Sequence, residues 1–215
     1  MFEYGLDHTK NEHLADGIVH ALGVAAALGG ALTLIIWAAL AAPLEHIAAL
    51  AVYAIGLIAT FSFSAAYNMT LHAKARAILR RFDHAAIFIM IAGTYTPMAL
   101  IGIGGAKGIA LTAAVWGIAA AGVVLKLFFF GRLTRTAFGL YLVQGWLALV
   151  AIGPMLANLP TGALILLITG GLTYTAGTLF HHRDSWPFNR AIWHSFVLAA
   201  AGTHYAAVFQ VAAVT

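Results

Sequence analysis

Apolar residues are gathered into seven long runs, at about 18–42, 46–71, 85–103, 109–130, 137–156, 162–180 and 191–214, parted by short polar or turn-forming stretches. Each run reaches the roughly 20 residues that an α-helix needs to cross a bilayer core. None alternates apolar and polar residues as a barrel strand must. The pattern predicts an all-α integral membrane protein, a seven-transmembrane helix bundle. The stretches between the runs, APLEH, HAKARAILRR, IGGAKG, GRLTRT, ANLPTG and HHRDSWPFNR, are short enough to make neighbouring helices antiparallel, so residues 1–215 are expected to form one domain. The first run is too long for a cleavable signal peptide. Its flank carries Glu3, Asp7, Glu12 and Asp16 where a signal would be basic.

Composition narrows the picture. The chain is 62% hydrophobic and 8% charged, whereas a soluble domain carries about a quarter charged residues. A soluble globule and a disordered chain are both excluded. There is no Cys, so no disulfide framework exists. Lys and Arg set the orientation. Antiparallel threading puts Lys10, Lys74, Arg76, Arg80, Arg81, Lys126, Arg132, Arg135, Arg183 and Arg190 at one end of the bundle and Lys107 alone at the other. Short basic loops stay in the cytoplasm. The N-terminus, with residues 1–17 as a cytoplasmic segment, is therefore expected inside and the C-terminus outside. The net charge of +4 is a topology signal, and the expected partners are membrane lipids, with no nucleic acid. The oligomeric state is not encoded in any pattern here.

Ionisable groups within spans are costly and mark function by default. Glu12, Asp16 and His20 are spaced i, i+4, i+8 and share one helix face. Ser64, Asn68 and His72 repeat that spacing at the end of the second run, Asp83 and His84 open the third, and Arg190 and His194 open the seventh. All fall at the basic end. Each has a structural alternative: Glu12, Asp16 and Asp83 as helix-start carboxylates, Ser64 and Asn68 as interhelical hydrogen-bond partners, His72 and His84 as interfacial residues. Tyr141, Gln144, Tyr174 and His204 lie deeper. Gly23, Gly29, Gly30, Gly117, Gly122, Gly170, Gly171 and Gly177 read as close helix contacts.

Three stretches, EHLADGIVHALG, SAAYN followed by RRFDHAAIFIMIAGTYTP, and FNRAIWHSFVLAAAGTHY, together resemble the hemolysin III family, the bacterial branch of the progestin and adiponectin receptor superfamily. The resemblance implies seven helices, a cytoplasmic N-terminus and residence in the bacterial inner membrane. It also implies a zinc ion held by one His in a Ser-x-x-x-His motif of the second helix and two in a His-x-x-x-His motif of the seventh, with an Asp on the zinc-bound water. The Ser is Ser64, the Asp is Asp83 and the last His is His194. The other two positions depart, being Asn68 and Arg190. Guanidinium has no lone pair to give. No cofactor is therefore expected, unless His72 or His20 restores a zinc site around His194. Arg190 is expected instead to stand where the metal stands in relatives, paired with Asp83 and hydrogen-bonded to Asn68.

The expected function is lipid binding or membrane homeostasis, with Asn68, Arg190, His20 and His72 as binding residues. The alternative is a hydrolase of lipid amides or esters, ceramidase-like, with Asp83 as base, Ser64 as a supporting donor and His194 as metal ligand or metal-free base. An oligomeric cytolytic pore is a third reading. A retinal pump is excluded because the seventh run has no Lys.

Overall fold

The computed structural model describes residues 9–131, 134–183 and 185–214, without the side chains of 134, 135, 137 and 138. Glu3, Asp7, Arg132 and the side chain of Arg135 therefore lie outside the described residues. Among the described residues there are eight α-helices: α1 (Lys10–Ala41), α2 (Leu44–Met69), α3 (Ala73–Pro97), α4 (Gly105–Phe128), α5 (Thr134–Trp146), α6 (Ile152–Asn158), α7 (Thr161–His181) and α8 (Asn189–Val214). Together they make seven segments long and apolar enough to span a membrane, and there is no strand among the described residues.

Two helices begin earlier than the apolar pattern alone places them. In α1, Thr9 and Glu12 form a reciprocal capping box, so the helix starts at Lys10. In α3, His72 is the N-cap, accepting from the Ala75 N–H at 3.3 Å. The basic stretch after it, read from sequence as a connection, is therefore two further turns of helix. Beyond Pro97 the third span continues as a π-helix, Met98–Ile103, and turns through Gly104 and Gly105, both at positive φ. A Cβ at Gly108 would strike the Ala99 carbonyl, which accepts the Gly104 N–H at 2.9 Å.

The fifth span is broken. A 3-10 turn, Leu147–Ala151, separates α5 from α6, and Pro154 lacks the N–H that would restore a regular ladder. Backbone groups freed at membrane depth must be satisfied by protein. Tyr95 of α3 does this: its hydroxyl donates to the Gly145 carbonyl at 2.9 Å and accepts the Ala148 N–H at 2.7 Å. Nearby, the fully buried Gln144 amide donates to the carbonyls of Phe88 and Val115, tying α5 to α3 and α4.

Helix α3 is central, packing against α2, α4, α5 and α8, while α1 lies on α2 and α8. Of the predicted close-contact glycines, Gly23, Gly30, Gly122, Gly170 and Gly177 leave no free room for a Cβ, whereas Gly29, Gly117 and Gly171 face open space. The α7–α8 contact is extensive, but α7 barely touches α5 and α6. That uneven packing leaves a cavity of about 700 Å³ inside the bundle, to whose wall all eight helices contribute, α1 through Val19 and His20 and α4 through Leu111.

Candidate functional site

The cavity runs along the third span from Asp83 on α3 to Ile103 at the end of the π-helix. Its far part is walled by Met98, Ile103, Met155 and Leu164. The near part, at the basic end, collects the polar groups. Six of the seven residues singled out in sequence line it: His20, Ser64, Asn68, Asp83, Arg190 and His194. His72 does not. It is exposed at the start of α3 and spends its ring on capping.

The tightest constellation joins α1 to α8. Asp16 and His20, one turn apart on the buried face of α1, are only 3% and 4% exposed. His194, one turn into α8, brings Nδ1 to 2.6 Å from Asp16 Oδ1, and its ring packs on that of His20 with centroids 4.3 Å apart. Glu12 fixes the register of the two helices. Its Oε1 accepts the N–H of Phe188 at 2.9 Å, and Phe188 holds a left-handed φ of 57° just ahead of α8. The aspartate that orients His194 is thus Asp16 rather than Asp83.

Asp16, His20 and His194 each offer a ligand atom, all within 4.8 Å of one another. His20 Nε2 stands 3.6 Å from Asp16 Oδ2 and is buried with no hydrogen-bond partner. Bonds of about 2.1 Å to a tetrahedral zinc place two ligands about 3.4 Å apart. An orphaned buried nitrogen at that spacing from a carboxylate, with a second imidazole against it, fits a divalent ion, and the set of two His and one carboxylate leaves one position open. Of the two residues expected to restore a zinc site, His20 is in place and His72 is not.

The expected exchange of a metal for Arg190 is not what the structure shows. Among the described residues no ion pair joins Asp83 to Arg190. Asp83 instead has His84 Nδ1 at 4.0 Å, with Ser64, His194, His20 and Arg80 as its other polar neighbours. Arg190 is half-buried on the first turn of α8, beside Glu12 and His13. The Asn68 amide donates to the Ser64 carbonyl one turn back in its own helix, at 3.0 Å. The physical reason is the strength of the Asp16–His194 contact, which seats the first turn of α8 against α1 and carries Arg190 to that side.

Sequence reasoning took Asp16 for a helix-start carboxylate or a face-sharing neighbour and missed it as a ligand. The usable signal was its spacing of four from His20, which places a carboxylate and an imidazole one above the other on a helix. Asn189 was missed as well. It is buried, its Oδ1 has no partner, and it lines the cavity.

A sequence profile described as haemolysin-III related matches residues 8–205. The chain is similar to the hemolysin-3 homolog of Bacillus subtilis (strain 168), 36% identical over 197 residues and 92% of each chain. It is also similar to hemolysin-3 of Bacillus cereus, 35% identical over 190 residues, 88% of this chain and 87% of that one. The monocyte to macrophage differentiation factor of Homo sapiens is 29% identical over 167 residues, 74% of this chain and 68% of its own. The motifs at both ends and the middle of the chain, the seven spans and these matches agree, and the chain belongs to the hemolysin III family.

Proposed function

We propose that this protein holds an amphipathic lipid in the bundle, its acyl chain along the apolar part of the cavity and its polar head at His20, Asp83 and His194, in a membrane-homeostasis role. One observation carries the reading: a cavity of about 700 Å³, apolar over most of its length, closes at one end on a cluster of buried polar side chains. Ligand sites of about 300–1,000 Å³ with a few convergent polar groups are the usual form of small-molecule pockets. The weak contact of α7 with α5 and α6 gives a membrane lipid a sideways entry, and the basic end is taken as cytoplasmic from its Lys and Arg.

A second reading, hydrolysis of a lipid amide or ester, is favoured by the ligand set of Asp16, His20 and His194. A divalent ion there would supply a Lewis acid and an activated water. The chain's own part is then clear. Asp16 orients His194, Asp83 and Ser64 face the head across the cavity as proton acceptor and hydrogen-bond donor, and the apolar walls exclude bulk water.

The test is mild-detergent purification with mass spectrometry of bound lipid, elemental analysis, and incubation with a ceramide and phospholipid panel with and without added zinc. Copurified intact lipid, displaced by Ala148→Trp in the cavity wall, supports lipid holding. Zinc-dependent fatty-acid release supports the second reading. A protein free of lipid, whose panel lipids neither bind nor react, sinks both.

A further inference from the structure

At the basic end of the bundle α3 and α4 bring Arg80 and Lys126 near one another, with Asp83 as the carboxylate that acts on Arg80. Lys126, in the last turn of α4, is only 6% exposed, yet it has no ion pair among the described residues. Its Nζ sits 5.5 Å from the Tyr141 ring and 5.7 Å from the Phe130 ring. Arg80 lies over the other side of Phe130, at 5.4 Å, and lines the cavity. His84, also in the cavity wall, has its ring 5.5 Å from Phe130. Arg80 and Lys126 feel one another, whereas the His84 Nδ1 is committed to the Arg80 carbonyl at 2.6 Å and stands 4.0 Å from Asp83.

The other basic groups of this region are committed elsewhere. Arg76 donates to the carbonyls of Tyr67 and Thr70 and stacks on Tyr67, and Arg81 donates to the Leu127 carbonyl. Arg80 is solvent-exposed, with Phe130 and Asp83 beside it, whereas the buried Lys126 has only aromatic faces. A cation–π contact offsets part of the cost of taking an ammonium from water, but a buried, unpaired charge remains costly until an anion joins it. Basic pockets between helices at the cytoplasmic side are the form in which membrane proteins take anionic head groups.

We infer that Arg80 and Lys126 form a subsite for a phosphate group, so that the amphiphile held in the cavity is an anionic, phosphate-bearing one. The inference rests on the lipid-holding reading and names its ligand class. The phosphate sits on the α3–α4 side, where the two cations Arg80 and Lys126 outweigh Asp83. The uncharged linkage between head and chain then lies toward Ser64, Asp83 and His194.

The experiment compares phosphatidic acid with diacylglycerol of the same acyl chains, on the full chain in detergent, by native mass spectrometry and thermal shift, with inorganic phosphate as a third probe. With about 1 kcal/mol for each of Arg80 and Lys126, phosphatidic acid should bind roughly thirtyfold tighter than diacylglycerol. The Arg80→Gln/Lys126→Met double variant should bind both lipids alike, and Lys126→Arg should keep the preference. Lys126→Met alone, losing an uncompensated charge, should unfold no earlier than the parent in lipid-free detergent, which separates lost binding from lost folding. Stabilisation by inorganic phosphate alone, absent in Lys126→Met, supports the subsite and names free phosphate as its source. Equal binding of the two lipids by the unaltered protein overturns the subsite and leaves lipid holding intact. Binding of neither lipid, with no effect of phosphate, overturns both.

Discussion

Two rows of polar residues have the same spacing in the chain and opposite fates in the structure. Glu12, Asp16 and His20 on α1, and Ser64, Asn68 and His72 near the end of α2, are each spaced i, i+4, i+8. The first row stays within one unbroken helix, and its last two members converge on His194. The second is cut, because α2 ends at Met69 and His72 becomes the N-cap of the next helix. Common spacing implies a common face only while the helix lasts. The resemblance implied ligands at the positions of Asn68 and Arg190, whose side chains cannot serve. The candidate ligand set instead joins Asp16 and His20 of α1 to His194 of α8, the one residue it shares with the implied set.

The largest effect should come from Asp16→Ala. It removes the acceptor of His194 and the oxygen nearest His20, stranding the Nδ1 of the half-buried His194. A stability loss of about 1–3 kcal/mol is expected from such a stranded group, together with loss of zinc uptake. Equilibrium unfolding in detergent and elemental analysis after zinc exposure and desalting check it. Zinc retained in stoichiometric amount by Asp16→Ala would place the metal elsewhere and undo the contrast between the two rows.

Much of the architecture was legible because it is written in long-range hydropathy. Seven spans and their antiparallel order follow from apolar run length and loop brevity alone. Local hydrogen bonding was harder to read. The α3 start at Ala73 depends on one His72 ring nitrogen, and the break after Trp146 depends on a tyrosine 50 residues away in sequence. Six of the expected residues line the cavity, and they could be picked out because polar groups in spans are conspicuous, whichever helix faces they occupy. Their pairing was not legible. Whether Asp83 or Asp16 meets α8 depends on the helix rotation that the Glu12–Phe188 contact sets, and no periodicity in the chain reports that rotation. Lys126 escaped notice for a related reason, since a lysine at a span end reads as a topology marker until its burial is seen.

A smaller and more selective effect is expected for His20→Leu. His20 Nε2 has no hydrogen-bond partner to lose, and an apolar side chain in its place removes an unsatisfied group, so the unfolding midpoint should hold or rise. Zinc affinity should fall by more than the roughly 10–100-fold that loss of a merely supporting partner costs. Isothermal titration beside thermal unfolding separates the two quantities. Unchanged affinity would assign the orphaned nitrogen to bound water instead of a metal.

The smallest effect belongs to the other row. His72→Ala removes an N-cap acceptor, and such losses cost about 0.5–2 kcal/mol, near the low end where the cap is exposed. His72 Nδ1 accepts a long 3.3 Å bond from Ala75, so a change near 0.5 kcal/mol is expected. Zinc uptake and lipid binding should match the parent, because the residue lies outside the cavity wall. His72→Asn, which keeps a capping acceptor, should restore the lost stability. If His72→Ala instead weakened zinc binding as His20→Leu does, the second row would reach the site after all, and the end of α2 would have to unwind to bring it there.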